Sequence, residues 1–256
     1  MKGKGRRSAV SLHGARCLTA ILLLVALAGC ASQRTMEPNP DDPWEGFNRR
    51  VFAFNDALDR AILKPLAQGY DTITPQPVQT GVGNFFSNLG EIRTMLNSLL
   101  QGKPGNAGIA GGRFLLNSTV GIGGLWDVAT GIELTGREED FGQTLAVWGA
   151  GEGPYLVLPF FGPSTVRDTA GMPVDTYTYP LTYVEDDEVR YGLTALRVID
   201  TRASLLEEEE LIRGDRYAFI RDAYLQRRRF EVNDGEQGED PFATDDFDFD
   251  DDAFAE

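Results

Sequence analysis

The 256-residue sequence contains one histidine, His13, and two cysteines, Cys17 and Cys30. From residue 31 onward the chain has neither residue type. This excludes Ser-His-Asp and Cys-His nucleophilic catalysis there, and it excludes zinc, haem and iron–sulfur sites that need His or Cys ligands. It also excludes a disulfide, so packing alone must hold the fold.

Basic residues are also few, since the sequence has 24 Lys and Arg but 39 Asp and Glu, which gives a net charge of −15. The charge is uneven, because residues 1–29 carry +5 and residues 231–256 carry −12 with no Lys or Arg. Nucleic-acid binding needs clustered Lys and Arg to neutralise phosphates. We therefore expect no nucleic acid among the partners.

The apolar run near the N-terminus covers only residues 18–29, whereas a membrane-spanning helix needs about 20 apolar residues. A basic segment precedes the run and small residues end it. This order is typical of a secretory signal peptide, which we place at residues 1–29.

The signal ends in Leu-Ala-Gly-Cys at residues 27–30, which is similar to the lipobox of bacterial lipoproteins. The alternative is an ordinary signal with a cysteine beside the cleavage site. Acylation of Cys30 would anchor the chain, because each buried CH₂ contributes about 0.8 kcal/mol. Ala31 and Ser32 lack the Asp that marks inner-membrane retention in enterobacterial lipoproteins, so we expect the outer membrane, with residues 30–41 as a tether.

The remaining chain predicts mostly helices. Asp42, Pro43 and Glu45 predict a helix start with a capping box, and Lys64-Pro65 predicts its end. An apolar stripe runs along this predicted helix, residues 44–62, and a polar-aromatic face carries Asn48, Phe52 and Asn55 beside it. Further helices are predicted from about 84 to 101, from Asp187, from a capping box at 204–207, and from Asp215.

Two glycine-rich stretches allow two interpretations each. Residues 105–126 contain an uncharged run of 13 residues, 114–126, which is too short to span a membrane. The segment suits either a membrane-embedded position or a tightly packed core. Gly149, Gly151 and Gly153 precede Pro154 and suit either a hinge or a set of turns. Residues 231–256 are acidic and poor in aliphatics, which predicts a disordered tail.

Several motifs along residues 42–230 resemble the VacJ/MlaA family of outer-membrane lipoproteins, and they occur in the family's order. They are Asp-Pro-Trp-Glu-Gly-Phe-Asn-Arg at 42–49, Arg-Phe-Leu-Leu-Asn-Ser at 113–118, Gly-Ile-Gly-Gly at 121–124, Glu-Asp-Phe-Gly-Gln-Thr-Leu at 139–145, Gly-Pro-Tyr-Leu-Val-Leu-Pro at 153–159, and Gly-Pro-Ser-Thr-Val-Arg-Asp at 162–168.

The resemblance implies a mainly α fold, a ring of amphipathic helices around a central channel, embedded in the inner leaflet of the outer membrane. It implies phospholipid as the cargo, a trimeric porin and a soluble periplasmic lipid carrier as partners, and no cofactor. Asn48, Phe52, Phe54 and Asn55 are our candidates for the channel or its gate. Gly149, Gly151 and Gly153 are the candidate hinge.

Two other functions remain open on the sequence. One is a porin-associated scaffold that passes no lipid. The other is a carboxylate-dependent lipid or wall hydrolase, for which Glu138, Glu139, Asp140 and Asp168 are the candidate groups, although surface charge and helix capping explain them more simply.

Overall fold

The computed structural model of the chain describes residues 39–209 and 212–235. The predicted signal peptide, Cys30, most of the predicted tether and residues 236–256 of the predicted tail lie outside the described residues. Predictions about those segments therefore stay predictions.

The described part is mainly helical, as predicted, with one small hairpin. A π-helical turn, Asp59–Leu63, follows α1, and a 3₁₀ turn, Pro180–Tyr183, follows α7. The helices and strands are α1 Glu45–Leu58, α2 Lys64–Ile73, α3 Gln76–Leu100, α4 Pro104–Thr119, α5 Val128–Gly131, α6 Phe141–Val147, β1 Tyr155–Leu158, β2 Gly162–Thr165, α7 Val166–Thr178, α8 Asp187–Ser204, α9 Leu206–Glu209 and α10 Arg216–Val232.

The first helix starts within one residue of its predicted start, but its predicted capping box and its predicted end are wrong. The helix begins at Glu45 without a side-chain cap, because the Asp42 carboxylate instead accepts hydrogen bonds from Asn48 and Tyr217. Lys64-Pro65 does not end the helical path, since α2 starts there. The π turn shifts the hydrogen-bond pattern, and Pro65 falls in the first turn of α2, where a missing N–H costs little.

Helix boundaries elsewhere follow the same physical rules. Helix α3 begins at Gln76, well before the predicted residue 84, because Pro77 suits a first helical turn. The predicted capping box at 204–207 is wrong, since the Ser204 hydroxyl donates to the Thr201 carbonyl within α8. The predicted cap at Asp215 is confirmed, because its carboxylate accepts from two backbone N–H groups of α10.

An antiparallel hairpin was not predicted. Strands β1 and β2 pair from Tyr155 opposite Thr165 to Leu158 opposite Gly162. Each strand has four residues, and β2 contains a proline, so neither gives an alternating pattern long enough to recognise.

The contacts between elements close into a ring. Helix α1 contacts β1, β1 pairs with β2, and β2 contacts α7; α7 contacts α3, α3 contacts α8, and α8 contacts α2. The π turn then joins α2 back to α1. Arg202 of α8 binds Asp59 of that turn at 2.7 Å, and Arg216 of α10 lies 3.2 Å from Asp56 of α1. These ion pairs tie α1 and the π turn to α8 and α10.

The glycine-rich segment at 105–126 packs tightly on one side and is apolar on the other. A Cβ on Gly124 would lie 2.8 Å from Asn88 Cβ, and one on Gly121 would lie 2.1 Å from the Trp126 carbonyl oxygen. Leu115, Val120 and Trp126 are nevertheless exposed. No helix within the described residues is both long enough and apolar enough to cross a bilayer.

Candidate functional site

Two cavities, of about 700 and 770 Å³, lie among the helices of the ring. Each is within the roughly 300–1,000 Å³ typical of sites for organic ligands. Arg93, Tyr179 and Arg197 line both cavities, so the cavities meet there. We call these three residues the waist.

The two cavities differ in chemistry. Asp71, Gln79, Glu138 and Asp200 help to give the first cavity a mostly polar lining. The second cavity combines apolar and charged groups. Its lining includes Phe161, Met172, Leu181, Tyr191, Val198, Asp175, Arg190 and Arg227. A molecule with a charged end and an apolar body therefore meets both of its preferences in the second cavity and the waist.

Tyr179 anchors the waist. Its side chain is buried, and its hydroxyl donates to the Phe86 carbonyl of α3 at 3.2 Å. The Arg197 guanidinium carbon lies 4.5 Å from the centre of the tyrosine ring, within cation–π range. Burial raises the pKa of Tyr179, while the positive charges of Arg197 and Arg93 act in the opposite direction.

The two waist arginines lack ion-pair partners. Within residues 39–209 and 212–235, no carboxylate oxygen lies within 4.0 Å of a side-chain nitrogen of Arg93 or Arg197. The Arg93 Nε atom is buried and has no hydrogen-bond partner in the described part of the chain. Both side chains are otherwise half-buried. The waist therefore offers positive charge that the described residues do not neutralise.

Other charges beside the second cavity are engaged. Arg228 donates two hydrogen bonds to Asp140, both at 2.7 Å, and two to Asp168 at 2.9 and 3.0 Å. Burial opposes ionisation of Asp168, but Arg228 lowers its pKa overall. The Tyr224 hydroxyl donates a further bond to Asp168 at 2.9 Å. This network fixes α6, α7 and α10 to one another.

Asp175 differs from Asp168, because its pKa is raised rather than lowered. Burial, followed by the nearby charge of Asp140, raises the pKa of Asp175 to about 6, although the Phe141 N–H donates to it at 2.9 Å. The charge of Arg93 lowers the pKa of Asp175 by a smaller amount. Asp175 thus changes charge in the range of mild acidity while it lines the second cavity.

The four predicted channel or gate residues line neither cavity. Asn48 is fully buried, and its amide group bonds the Asp42 carboxylate, the Tyr155 carbonyl and the Val157 N–H at 2.8, 3.0 and 2.9 Å. Asn55 bonds the Leu158 carbonyl and the Phe160 N–H, each at 2.9 Å. These two residues hold the hairpin against α1, and their role in a channel or gate stays a prediction.

The two phenylalanines among these four candidates lie in different environments. Phe52 packs in the core edge-to-face with Tyr217, with ring centroids 5.5 Å apart. Phe54 is exposed and contacts Phe160 at the hairpin tip, with centroids 5.4 Å apart. Phe161 beside it is 75% exposed and also borders the second cavity.

Large apolar side chains lie exposed along the first two helices and elsewhere on the ring. The stripe predicted on the first helix is mostly exposed, although Val51 is buried. Exposed apolar surface of this extent is unusual for a soluble monomer and is typical of a membrane or protein contact. The exposed set includes Trp44, Phe47, Phe54, Ile62, Leu66, Ile73, Leu99, Leu115, Ile122, Trp126, Trp148, Phe160 and Phe161.

The candidate hinge glycines join α6 to β1 and are not equivalent. Gly149 and Gly153 have left-handed backbone angles, with φ of +93° and +68°. A Cβ on Gly153 would also lie 3.0 Å from Val166 Cβ, whereas one on Gly151 would meet open space. Turn geometry requires glycine at two of the three positions. Whether the segment acts as a hinge stays a prediction.

The carboxylates that suggested a hydrolase have different surroundings, and the structure brings only Asp140 and Asp168 together on one guanidinium. Asp140 and Asp168 belong to the Arg228 network, and Asp140 also caps α6. Glu139 is buried and accepts hydrogen bonds from Gln101 and Lys103 at 2.9 and 3.1 Å. Glu138 is exposed at the first cavity. Three of the four therefore have structural partners that explain them. The described residues also contain no cluster of three or more potential metal ligands.

The waist was not foreseen in the sequence. Arg93 and Arg197 lie on different helices, and nothing in their spacing brings them together. One signal was available, because Arg93 interrupts an otherwise apolar face of the predicted helix at 84–101. A charged residue inside such a face marks a cavity or a polar contact.

Comparison with known proteins places the chain in a family. The model of the family described as MlaA lipoprotein matches residues 40–231. The Escherichia coli (strain K12) protein named intermembrane phospholipid transport system lipoprotein MlaA is 41% identical, over 82% of this chain and 86% of its own length. The Haemophilus influenzae protein of the same name is 35% identical, over 85% and 90%.

The fold is similar to a solved one. A chain from the structural study "Structural basis for maintenance of bacterial outer membrane lipid asymmetry" superposes with a TM-score of 0.66 at 40% identity, over 75% of this chain and 99% of that one. The family match covers the whole ring described above and all of α10 except its last residue. The chain therefore belongs to the MlaA lipoprotein family.

Proposed function

We propose that this protein removes misplaced phospholipid from the outer leaflet of the outer membrane and passes it to a soluble periplasmic carrier. The observation that carries the proposal is the pair of cavities that meet at the waist inside a closed ring of helices. The relatives from Escherichia coli and Haemophilus influenzae are named for intermembrane phospholipid transport, which agrees with this role.

The ring is suited to a position within one leaflet. Its exposed apolar residues would lie against lipid tails, while the polar linings of the cavities would receive the headgroup. Acylation at Cys30 would hold the ring at the inner face of the outer membrane, with its periplasmic side open to a carrier. A trimeric porin beside the ring would cover part of the same apolar surface.

Transport in this scheme requires no covalent chemistry. The protein would contribute a route of intermediate polarity, so that neither the charged headgroup nor the tails must cross an environment that excludes them. Three of the carboxylates once considered for hydrolysis already have structural partners, which supports passage of unchanged lipid.

A substitution that fills the second cavity tests the proposal. Thr194 and its neighbour Ala195 on α8 are both exposed, but Thr194 lines that cavity and Ala195 lines neither cavity. In a strain that lacks its own copy, we expect Thr194→Trp to fail to clear surface phospholipid and Ala195→Trp to clear it normally. An impermeant amine-reactive label measures the phosphatidylethanolamine exposed at the cell surface.

The outcomes separate the alternatives. If Thr194→Trp clears lipid normally and still binds its porin, the protein is a scaffold and the route lies elsewhere. If the purified protein converts phospholipid into lysophospholipid and fatty acid, it is a hydrolase. Unchanged lipid that copurifies with the wild type in detergent supports transport.

A further inference from the structure

We propose that Arg93 and Arg197 form a subsite at the waist that binds a phosphate group, and that its occupant is the phosphate of a phospholipid headgroup. The inference rests on the proposed function and deepens it, because it assigns the point at which the cargo is recognised. The two side chains come from α3 and α8 and reach the same place, where both cavities meet.

The first argument is electrostatic. The chain has a net charge of −15, so a cation could readily find a carboxylate partner, and most arginines here have one. Arg93 and Arg197 do not have one within the described residues, although both are half-buried. Leaving guanidinium groups partly desolvated without a counterion costs free energy, and a bound anion would recover it.

The second argument concerns competing acids around the waist. Asp140 and Asp168 are held by Arg228, and Asp200 accepts a hydrogen bond from the Tyr70 hydroxyl at 2.8 Å. Asp175 accepts from the Phe141 N–H. None of these four carboxylates forms an ion pair with a waist guanidinium, so the position beside the two guanidiniums is open to an anionic ligand.

The third argument is geometric. Stacking on the Tyr179 ring orients the Arg197 guanidinium, and the tyrosine is itself fixed by its bond to the Phe86 carbonyl. A planar guanidinium can offer two parallel N–H donors to phosphate oxygens. The polar first cavity and the partly apolar second cavity on either side suit a phosphate that carries a polar substituent on one side and acyl chains on the other.

Binding of short-chain lipid to the purified, detergent-solubilised protein tests the subsite. The probes are dihexanoyl phosphatidylglycerol below its micelle concentration, dihexanoylglycerol, which lacks the phosphate, and inorganic phosphate. Titration calorimetry compares the wild type with Arg93→Gln/Arg197→Gln. Arg50→Gln is the control, because Arg50 is exposed on α1 and lines neither cavity.

We expect the double variant to bind dihexanoyl phosphatidylglycerol at least tenfold more weakly, which corresponds to about 1.4 kcal/mol. Its affinity for dihexanoylglycerol should not change, and Arg50→Gln should behave as the wild type. Arg93→Lys/Arg197→Lys keeps the charge but loses the paired donors, so it should recover part of the affinity. That recovery also guards against misreading a folding defect as a loss of the site.

Three results would overturn the subsite. Equal lipid binding by the double variant and the wild type would contradict the subsite. The cell assay with Thr194→Trp would still test the transport role independently. Inorganic phosphate binding as tightly as the lipid would make it a site for free phosphate. Absence of lipid binding by the wild type would also reject it.

Discussion

Asn48 and Asn55 lie two turns apart on α1, and each amide group closes two hydrogen bonds onto the backbone of the hairpin. Asn48 bonds the carbonyl of Tyr155 and the N–H of Val157, while Asn55 bonds the carbonyl of Leu158 and the N–H of Phe160. The helix thereby satisfies backbone groups that a third strand would otherwise pair. One face of one helix fixes both the position and the tip of the hairpin.

Replacing Asn48 with Ala should destabilise the protein by roughly 3 kcal/mol, since each buried polar group left unpaired costs about 1–3 kcal/mol. The Tyr155 carbonyl and the Val157 N–H would both lose their partner. Urea unfolding followed by circular dichroism measures the change. Asn84→Ala, which removes one exposed bond to the Leu125 carbonyl, should cost less than about 1 kcal/mol and serves as control.

Deleting Phe54 and Asn55 should misroute lipid rather than simply unfold the chain. The deletion removes the bonds to Leu158 and Phe160 and turns the downstream part of α1 by about 200°. Asn48 and its contacts precede the cut, so the base of the hairpin should remain attached. Surface labelling of phospholipid, together with the amount of protein in the membrane, checks this. Disappearance of the protein would instead show a purely structural role.

Substitutions in the glycine segment should differ by position. Gly149→Ala and Gly153→Ala should each destabilise the protein by about 1 kcal/mol or more, because both residues have left-handed backbone angles. Gly151→Ala should be neutral or slightly stabilising, since it has neither a left-handed angle nor a close neighbour. Thermal unfolding ranks the three. A slower lipid clearance in Gly151→Ala at unchanged stability would favour a hinge.

Asp175→Asn should stabilise the protein at neutral pH and remove part of its pH dependence. The folded-state pKa is about 6, against an ordinary value of 3.8, so the folded state holds the proton more tightly. The stability that Asp175 contributes is therefore present at low pH and is lost as the pH rises from about 4 to 6. The loss is up to roughly 3 kcal/mol, because the pKa rises by about 2 units and each pKa unit corresponds to about 1.4 kcal/mol.

Urea midpoints of the wild type and Asp175→Asn at pH 4, 5, 6 and 7 test this. The increase in the free energy of unfolding caused by Asp175→Asn should be small at pH 4 and should reach its full value near pH 7. The Asn side chain can still accept from the Phe141 N–H, so the local structure should persist. Glu133→Gln, at an exposed carboxylate, is the control, and an equal pH profile for both substitutions would contradict the assignment.

Cys30→Ala should leave the protein unprocessed or released from the outer membrane, because no described helix could replace the acyl anchor by spanning the bilayer. Fractionation of the cell envelope, with the mass of the product, measures both effects. A mature, membrane-bound Cys30→Ala protein would show that the ring attaches by its own apolar surface.

Local signals predicted the helices well where a stripe or a cap decides the structure. The helix from Asp187 and the cap at Asp215 depend on neighbours a few residues away, and both predictions are confirmed. The continuation through Lys64-Pro65 was missed, because a π turn depends on packing around Asp59 and Arg202 rather than on local preference. The hairpin was missed because α1 supplies its support from a distant part of the chain.

Local sequence signals also could not predict which side of the first helix is buried in the protein. An apolar stripe predicts burial, but it does not tell a protein core from a lipid environment. Trp44, Phe47 and Phe54 turn outward, while the polar Asn48 turns inward to the hairpin. The waist depends on tertiary structure in the same way, since Arg93 and Arg197 meet only when α3 packs against α8.

The docking of α10 against the start of α1 also determines when folding can finish. Asp42, just before α1, contacts Tyr217 and Arg221 of α10, which is the last described helix to be synthesised. Such nonlocal contacts form late, because a long loop must close first. Every earlier folding intermediate therefore presents both its exposed apolar surface and its cavity-lining surfaces to water. We expect the emerging chain to depend on chaperones until α10 docks, and we expect a fragment that ends before Arg216 to leave Asp42 without these partners.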